Sequence, residues 1–358
     1  MNIQSLQEFQ ALPAPELTGY IQRRKKELGS SLLILTHHYQ RPEIVALGDF
    51  VGDSFKLAQT AASVKGVKNV VFCGVNFMAE AVSTLVNNDV VVQLSSPTSG
   101  CPMADMAEEQ DVLDAVNAIR DVGHDVVIPV VYMNSTSEIK AIAGGMGGCV
   151  CTSSNADKAV AWALAQRAKV LFLPDEYLGV NTCRKLGLPE KDYCVYERGK
   201  EKGSLSNNQI KAAKVLIWNG FCHVHKGFKP EHIIAARAMS ANAKVAVHPE
   251  CSPEVVQMAD AVGSTEFLVK YVESQPEGST VFVGTENNLV RRLAASHAGK
   301  RILPLSNEAV CFNMAKNTPA HLACSLKDEN LGIWGKVSVP LESKLFAAVA
   351  LNRMLSLE

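Results

Sequence analysis

The sequence predicts an α/β protein of three similar αβα sandwich domains with parallel sheets, and three observations predict it. Short Val/Leu/Ile/Phe runs alternate with helical stretches along the chain, the pattern of βαβ units whose parallel strands are buried on both faces. The runs sort into three series of the same order, with landmarks at matched spacing. The chain has 358 residues, more than one hydrophobic core normally organises, and its 47% hydrophobic content can fill several cores.

Each series begins with a strand, at 32–35, 126–131 or 244–247, that leads into a polar cluster. The clusters are His37-His38-Tyr39, Tyr132-Met133-Asn134 and His248-Pro249-Glu250. A short helix follows each, then a small-residue turn: Val51-Gly52-Asp53-Ser54, Cys151-Thr152-Ser153-Ser154 or Val262-Gly263-Ser264-Thr265. His37 and Ser54 are 17 positions apart, His248 and Ser264 16. Second strands at 70–75, 170–174 and 281–284 each run into a polar or acidic residue and a helix. Third strands at 90–94, 215–218 and 302–305 each end within a few residues of a cysteine: Cys101, Cys222 or Cys311. Ser54 to Cys101 and Ser264 to Cys311 are both 47 positions.

The middle copy is longer, because residues 189–214 form a charged, Gly/Ser/Asn-rich stretch that reads as a surface excursion. The expected domains are 1–105 with 331–358, 106–224 with the insertion near 189–214, and 225–330. Functional residues of parallel sheets gather beyond the carboxyl ends of the strands. Packed around a pseudo-threefold axis with those ends inward, the copies would bring three cysteines and three polar clusters to a central active site.

Composition excludes several function classes. Net charge is −1 with no basic stripe, so no nucleic-acid partner is expected. No apolar run reaches membrane-spanning length and no secretory pattern opens the chain, so the expectation is a cytoplasmic protein without a membrane partner. There are ten cysteines but no C-x-x-C pair, so any metal site must be assembled from distant parts of the chain.

Three thiolates at one place suit soft metals, an iron–sulfur cluster above all. Three ligands on a four-iron cluster leave one iron open as a Lewis acid. Zinc with an open fourth position is the competing chemistry, and ordinary loop thiols shared through duplication are the bland one. His37, His225 and His248 can donate hydrogen bonds or shuttle protons, and Glu250 beside a Lewis acid can serve as a general base. Ser54, Ser153, Ser264 and Thr265 lie in turns whose amides and hydroxyls can hold phosphate or carboxylate oxygens. Tyr39, Tyr132 and Asn134 add neutral donors. Gly144-Gly145-Met146-Gly147-Gly148 lacks the lysine of a phosphate-binding P-loop and reads as a flexible connection.

These residues lie in strings that resemble those of quinolinate synthases. The strings are Thr36-His37-His38-Tyr39, Gly74-Val75-Asn76-Phe77-Met78-Ala79-Glu80, Gly100-Cys101-Pro102-Met103-Ala104 and Tyr132-Met133-Asn134-Ser135-Thr136-Ser137. Further along come Asn219-Gly220-Phe221-Cys222-His223-Val224-His225, His248-Pro249-Glu250-Cys251, Val262-Gly263-Ser264-Thr265 and Ala309-Val310-Cys311-Phe312-Asn313-Met314-Ala315-Lys316-Asn317-Thr318. The resemblance runs in order from about residue 32 to 355.

It implies a triangle of three αβα domains and an enzyme of de novo NAD biosynthesis. The implied reaction condenses iminoaspartate with dihydroxyacetone phosphate to quinolinate, and L-aspartate oxidase or aspartate dehydrogenase would supply the iminoaspartate. The implied cofactor is a 4Fe–4S cluster with three cysteine ligands, Cys101, Cys222 and Cys311, and one open iron. His37, Tyr39, Ser54, Tyr132, Asn134, Ser153, His225, His248, Glu250, Ser264 and Thr265 become substrate-binding or proton-transfer residues, Glu250 the acid/base with Tyr39 assisting.

Two features depart from the family pattern. Some members carry C-x-x-C-x-x-C at the third ligand, where this chain has Leu305 and Glu308. The 189–214 excursion is also longer than in compact members. Another 4Fe–4S dehydratase of small carboxylates, an iron–sulfur sensor and a zinc hydrolase are the alternative functions.

Overall fold

The computed structural model describes residues 3–123 and 126–357, so residues 1, 2 and 358 of the expected first domain and 124–125 of the second lie outside the description. Among the described residues three parallel sheets form. The first holds β1 (Leu32–His37), β2 (Phe50–Gly52), β3 (Asn69–Cys73) and β4 (Val91–Leu94) in the order β2-β1-β3-β4. The second holds β5 (Val127–Tyr132), β6 (Cys149–Cys151), β7 (Lys169–Leu173), β8 (Tyr193–Tyr196) and β9 (Val215–Trp218) in the order β6-β5-β7-β9-β8. The third holds β10 (Lys244–Val247), β11 (Ala261–Val262), β12 (Thr280–Gly284) and β13 (Arg301–Pro304) in the order β11-β10-β12-β13.

The expected repeat is therefore a repeat of topology. β1, β5 and β7 are buried along their whole length, as helices on both faces require of apolar runs without alternation. Register explains the matched spacing. His37 pairs with Gly52, Tyr132 with Cys151 and Val247 with Val262, so each polar cluster leaves its sheet beside the turn that follows the neighbouring strand.

Three expectations change. Residues 189–214 are not wholly a surface excursion, because β8 joins the sheet as an edge strand beside β9. Tyr196 stacks on Trp218 with ring centroids 5.5 Å apart. The buried Lys169 donates to the carbonyls of Ile210, Lys211 and Ala213, capping the end of helix Asn207–Ala212.

The chain divides into two compact units: residues 1–101 with 286–292 and 310–339, and residues 102–285 with 293–309 and 340–358. Helix Pro319–Ser325, expected with the third domain, buries Ala320, Leu322 and Ala323 in the core of the first unit, with Leu17, Ile21, Ile34 and Val71. The C-terminal helix Leu341–Ser356, expected with the first domain, packs instead on helix Ser137–Gly145 in the second unit.

The third change is the glycine stretch, which is the seat for that C-terminal helix. A Cβ on Gly144 would lie 1.9 Å from the Phe346 carbonyl oxygen, and Arg353 donates to the Gly148 carbonyl. Among the described residues no helix is long and apolar enough to cross a membrane.

Candidate functional site

In the first unit, β1 delivers His37 to the end of its sheet, 3% exposed. Its Nδ1 accepts the Tyr39 N–H at 3.2 Å, which leaves the proton on Nε2. The two rings meet edge-on with centroids 4.7 Å apart. Helix Asn287–Ser296 supports this loop, with Asn288 donating to the Tyr39 carbonyl at 3.3 Å and Arg292 to His38 Nδ1 at 2.8 Å. Ser54 is the first residue of helix Ser54–Ser63, and Asp53 provides the cap by accepting the Lys56 N–H.

Cys101 and Cys311, both half-buried, follow the last strands of the first and third sheets. Their loops are tied together within the first unit. Ser99 donates to the Asn313 carbonyl at 3.0 Å and Lys316 to the Thr98 carbonyl at 2.8 Å. The fully buried Asn317 donates to the carbonyls of Gly74 and Met314 and to Ser99 Oγ, and it accepts from Ser95 Oγ. Glu286, also fully buried, accepts the Cys311 N–H at 3.4 Å. Burial pushes its carboxyl up to about 7, against backbone donors that lower it.

In the second unit, β10 leads directly into His248, whose turn repeats that of His37. The Glu250 N–H reaches His248 Nδ1 at 3.4 Å, and the Cys251 N–H bonds the His248 carbonyl as Gln40 bonds that of His37. Helix His223–Lys226 places His225 against this turn. His225 Nδ1 lies 2.5 Å from Glu250 Oε2, so Nδ1–H donates to the carboxylate, and its Nε2 lies 3.1 Å from Thr285 Oγ1. The His225 and His248 rings stack with centroids 4.3 Å apart.

Burial opposes ionisation of Glu250, but His225, His248 and hydrogen bonds from His225 and Tyr132 outweigh it and hold the carboxyl down to about 2. Burial, reinforced by His225, holds His248 down to about 3. Asp175, fully buried nearby, is pushed well up by burial and by the charge of Glu250.

Cys222, half-buried in the loop after β9, completes the group. Its ligand atom and those of His225 and Glu250 lie within 4.8 Å of one another. Its N–H donates to Asp175 Oδ2 at 3.2 Å. Tyr132 ends β5 and Asn134 follows two residues on. Ser153 lines a cavity of about 680 Å³ with Pro249, Val262 and Gly263, and the adjacent Ser264 caps helix Thr265–Ser274, whose first residue is Thr265. Asn181 backs this wall by donating to the carbonyls of Pro249 and Cys251.

The structure thus gathers His225, His248, Glu250, Tyr132 and Cys222 in the second unit, and places His37 with Tyr39, and Cys101 with Cys311, in the first. Sequence reasoning noted a polar or acidic residue after each second strand but did not single out Asp175, Thr285 or Glu286. It quoted Asn317 only within a string. The signal was there in the matched position of Asp175 and Glu286 across two copies.

The seven remaining cysteines sit differently. Burial pushes the thiols of Cys73, Cys194 and Cys324 up to about 11, those of Cys149 and Cys183 up to about 12, and those of Cys151 and Cys251 well up.

A family profile described as quinolinate synthetase A protein matches residues 19–356. A relative from Acidobacterium capsulatum named quinolinate synthase is 43% identical over 99% of this chain and 96% of its own length. One from Streptomyces coelicolor with the same name is 42% identical over 96% of this chain and 89% of its own. One from Bacillus subtilis, likewise named, is 38% identical over 98% of this chain and 96% of its own.

Proposed function

The chain belongs to the quinolinate synthase family, and from that premise we propose that it condenses iminoaspartate with dihydroxyacetone phosphate, losing phosphate and water to give quinolinate for NAD biosynthesis. The observation that carries this reading is the buried Glu250–His225 pair beside Cys222, which sets a proton-transfer couple next to a thiol.

The donor set suits a 4Fe–4S cluster on Cys101, Cys222 and Cys311. Those three cysteines are half-buried in loops, whereas burial makes thiolates of the other seven costly. When bound, such a cluster leaves one iron open as a Lewis acid toward substrate oxygens.

The remaining work falls to the side chains. Ser54, Ser153, Ser264 and Thr265 bind phosphate and carboxylate oxygens near helix N-termini. Tyr132 and Asn134 donate neutral hydrogen bonds to the same anions. His37 and His248 each keep Nδ1 occupied by a backbone N–H and donate from Nε2, and Tyr39 holds the His37 ring edge-on. Glu250 takes and returns protons while His225 Nδ1–H steadies its carboxylate and Thr285 Oγ1 holds the ring at Nε2. The groups around Glu250 hold its carboxyl down, so it enters the reaction ionised, as the base.

The protein works in the cytoplasm, where ten thiols stay reduced, with L-aspartate oxidase or aspartate dehydrogenase as the source of iminoaspartate. Anaerobically purified, iron- and sulfide-replete protein should convert iminoaspartate and dihydroxyacetone phosphate to quinolinate. Absence of quinolinate from such a preparation would overturn the assignment.

A further inference from the structure

One position recurs in all three copies without a role in the reaction: the residue before the helix that follows the second long strand. It is Val75 in the first copy, Asp175 in the second and Glu286 in the third. Both acids are fully buried, and both divide their oxygens in the same way.

Asp175 Oδ1 accepts the Leu178 N–H at 2.7 Å, capping helix Glu176–Lys185, while Oδ2 accepts the Cys222 N–H at 3.2 Å. Glu286 Oε2 accepts the Asn288 N–H at 2.7 Å, while Oε1 accepts the Asn288 side-chain amide at 3.0 Å and the Cys311 N–H at 3.4 Å. Val75 offers no side-chain acceptor. The first copy keeps the backbone tie from the Asn76 N–H to the Ser99 carbonyl at 2.9 Å, matched by the Glu176 N–H to the Gly220 carbonyl at 2.9 Å in the second.

Helix capping alone does not account for these acids. Hydroxyl side chains of Thr136, Ser206, Ser252 and Thr318 cap other helices here without burying a carboxyl group. Burying an ionisable group costs on the order of several kcal/mol unless its bonds compensate. What the acids add is capture of the peptide N–H of two cysteines. Peptide N–H groups that turn toward cluster sulfurs stabilise the reduced state and raise the reduction potential.

We propose that Asp175 and Glu286 are positioning residues that hold the Cys222 and Cys311 peptide N–H groups away from the sulfurs and so keep the potential of the bound cluster low. A cluster of low potential stays oxidised and serves as a Lewis acid, not an electron relay. The inference rests on the cluster reading given above.

The test is an anaerobic redox titration of cluster-loaded full-length protein, followed by electron paramagnetic resonance, with iron and sulfide measured on each sample. Asp175→Leu and Glu286→Met remove the side-chain acceptor and release the cysteine N–H, so each should keep the cluster and shift its potential positive. Asp175→Glu and Glu286→Asp retain an acceptor and should stay close to wild type. Ser206→Ala, which removes only a cap on helix Asn207–Ala212, should not move the potential.

An unshifted potential in cluster-replete Asp175→Leu and Glu286→Met overturns the proposal. If a Leu or Met variant fails to load, the acid-swapped variants decide, and a positive shift in them overturns it. Wild-type protein that binds no iron or sulfide overturns the cluster reading itself, a separate outcome.

Discussion

His225 Nδ1 and Glu250 Oε2 lie 2.5 Å apart, with both side chains 2% exposed. A contact this short between an imidazole N–H and an ionised carboxylate in a water-poor place is a charge-assisted hydrogen bond, and Cys222 sits within reach of both groups. Glu250→Gln keeps the shape and removes the proton acceptor. It should leave iron and sulfide content unchanged and lower turnover by roughly 10²- to 10⁴-fold, the usual weight of one acid–base group. Iron-normalised assays of quinolinate formation check this, and turnover close to wild type would remove Glu250 from proton transfer.

His248 gives the protein an acid limit. Burial, then the neighbouring His225, holds its pKa near 3 against the ordinary 6.5. Between those values the unfolded chain binds a proton that the folded one refuses, so stability falls as pH drops from 6.5 toward 3. The melting temperature of the wild type should decline on acidification from pH 7 to 5, and His248→Asn should decline less. Equal slopes would mean that His248 is not the group responsible.

Asn317 joins the loops that carry Cys101 and Cys311, through Gly74, Ser95, Ser99 and Met314. Replacing it by Ala strands several buried polar groups, each worth about 1–3 kcal/mol when unpaired. Asn317→Ala should lower the melting temperature and reduce the iron retained after desalting. Iron content and melting temperature equal to wild type would show that other contacts fix these loops.

Gly144 permits the C-terminal helix to close on helix Ser137–Gly145, since a Cβ there would fall 1.9 Å from a backbone oxygen. Gly144→Ala must push the helices apart, at a cost of about 1–3 kcal/mol. Denaturant unfolding should show a lower midpoint, and an unchanged midpoint would mean that the helix shifts at no cost.

Much of this was legible because duplication repeats its signals. The spacing from His37 to Ser54 and from His248 to Ser264 reflects parallel register, with His37 opposite Gly52 and Val247 opposite Val262. The chain's crossing between units was not legible. Gly144 reads as part of a flexible connection until Phe346 is seen against it, and Leu322 gives no sign of which sheet its helix covers.

The Glu250–His225 pairing was hidden for a similar reason, since residues 25 positions apart meet only after β10 and helix His223–Lys226 pack. Asp175 and Glu286 stood at matched positions, but an acid before a helix is also an ordinary cap. Only their fully buried state and their bonds to Cys222 and Cys311 set them apart.

The central claim is that Cys101, Cys222 and Cys311 hold an iron–sulfur cluster, and iron and sulfide analysis of anaerobically purified protein tests it most directly. The wild type should contain about four irons and four sulfides per chain. Cys101→Ser, Cys222→Ser and Cys311→Ser should each lose them, while Cys73→Ser and Cys324→Ser, whose buried thiols are pushed up to about 11, should keep them. Full retention in any of the first three variants, or a wild type that carries zinc without sulfide, would contradict it.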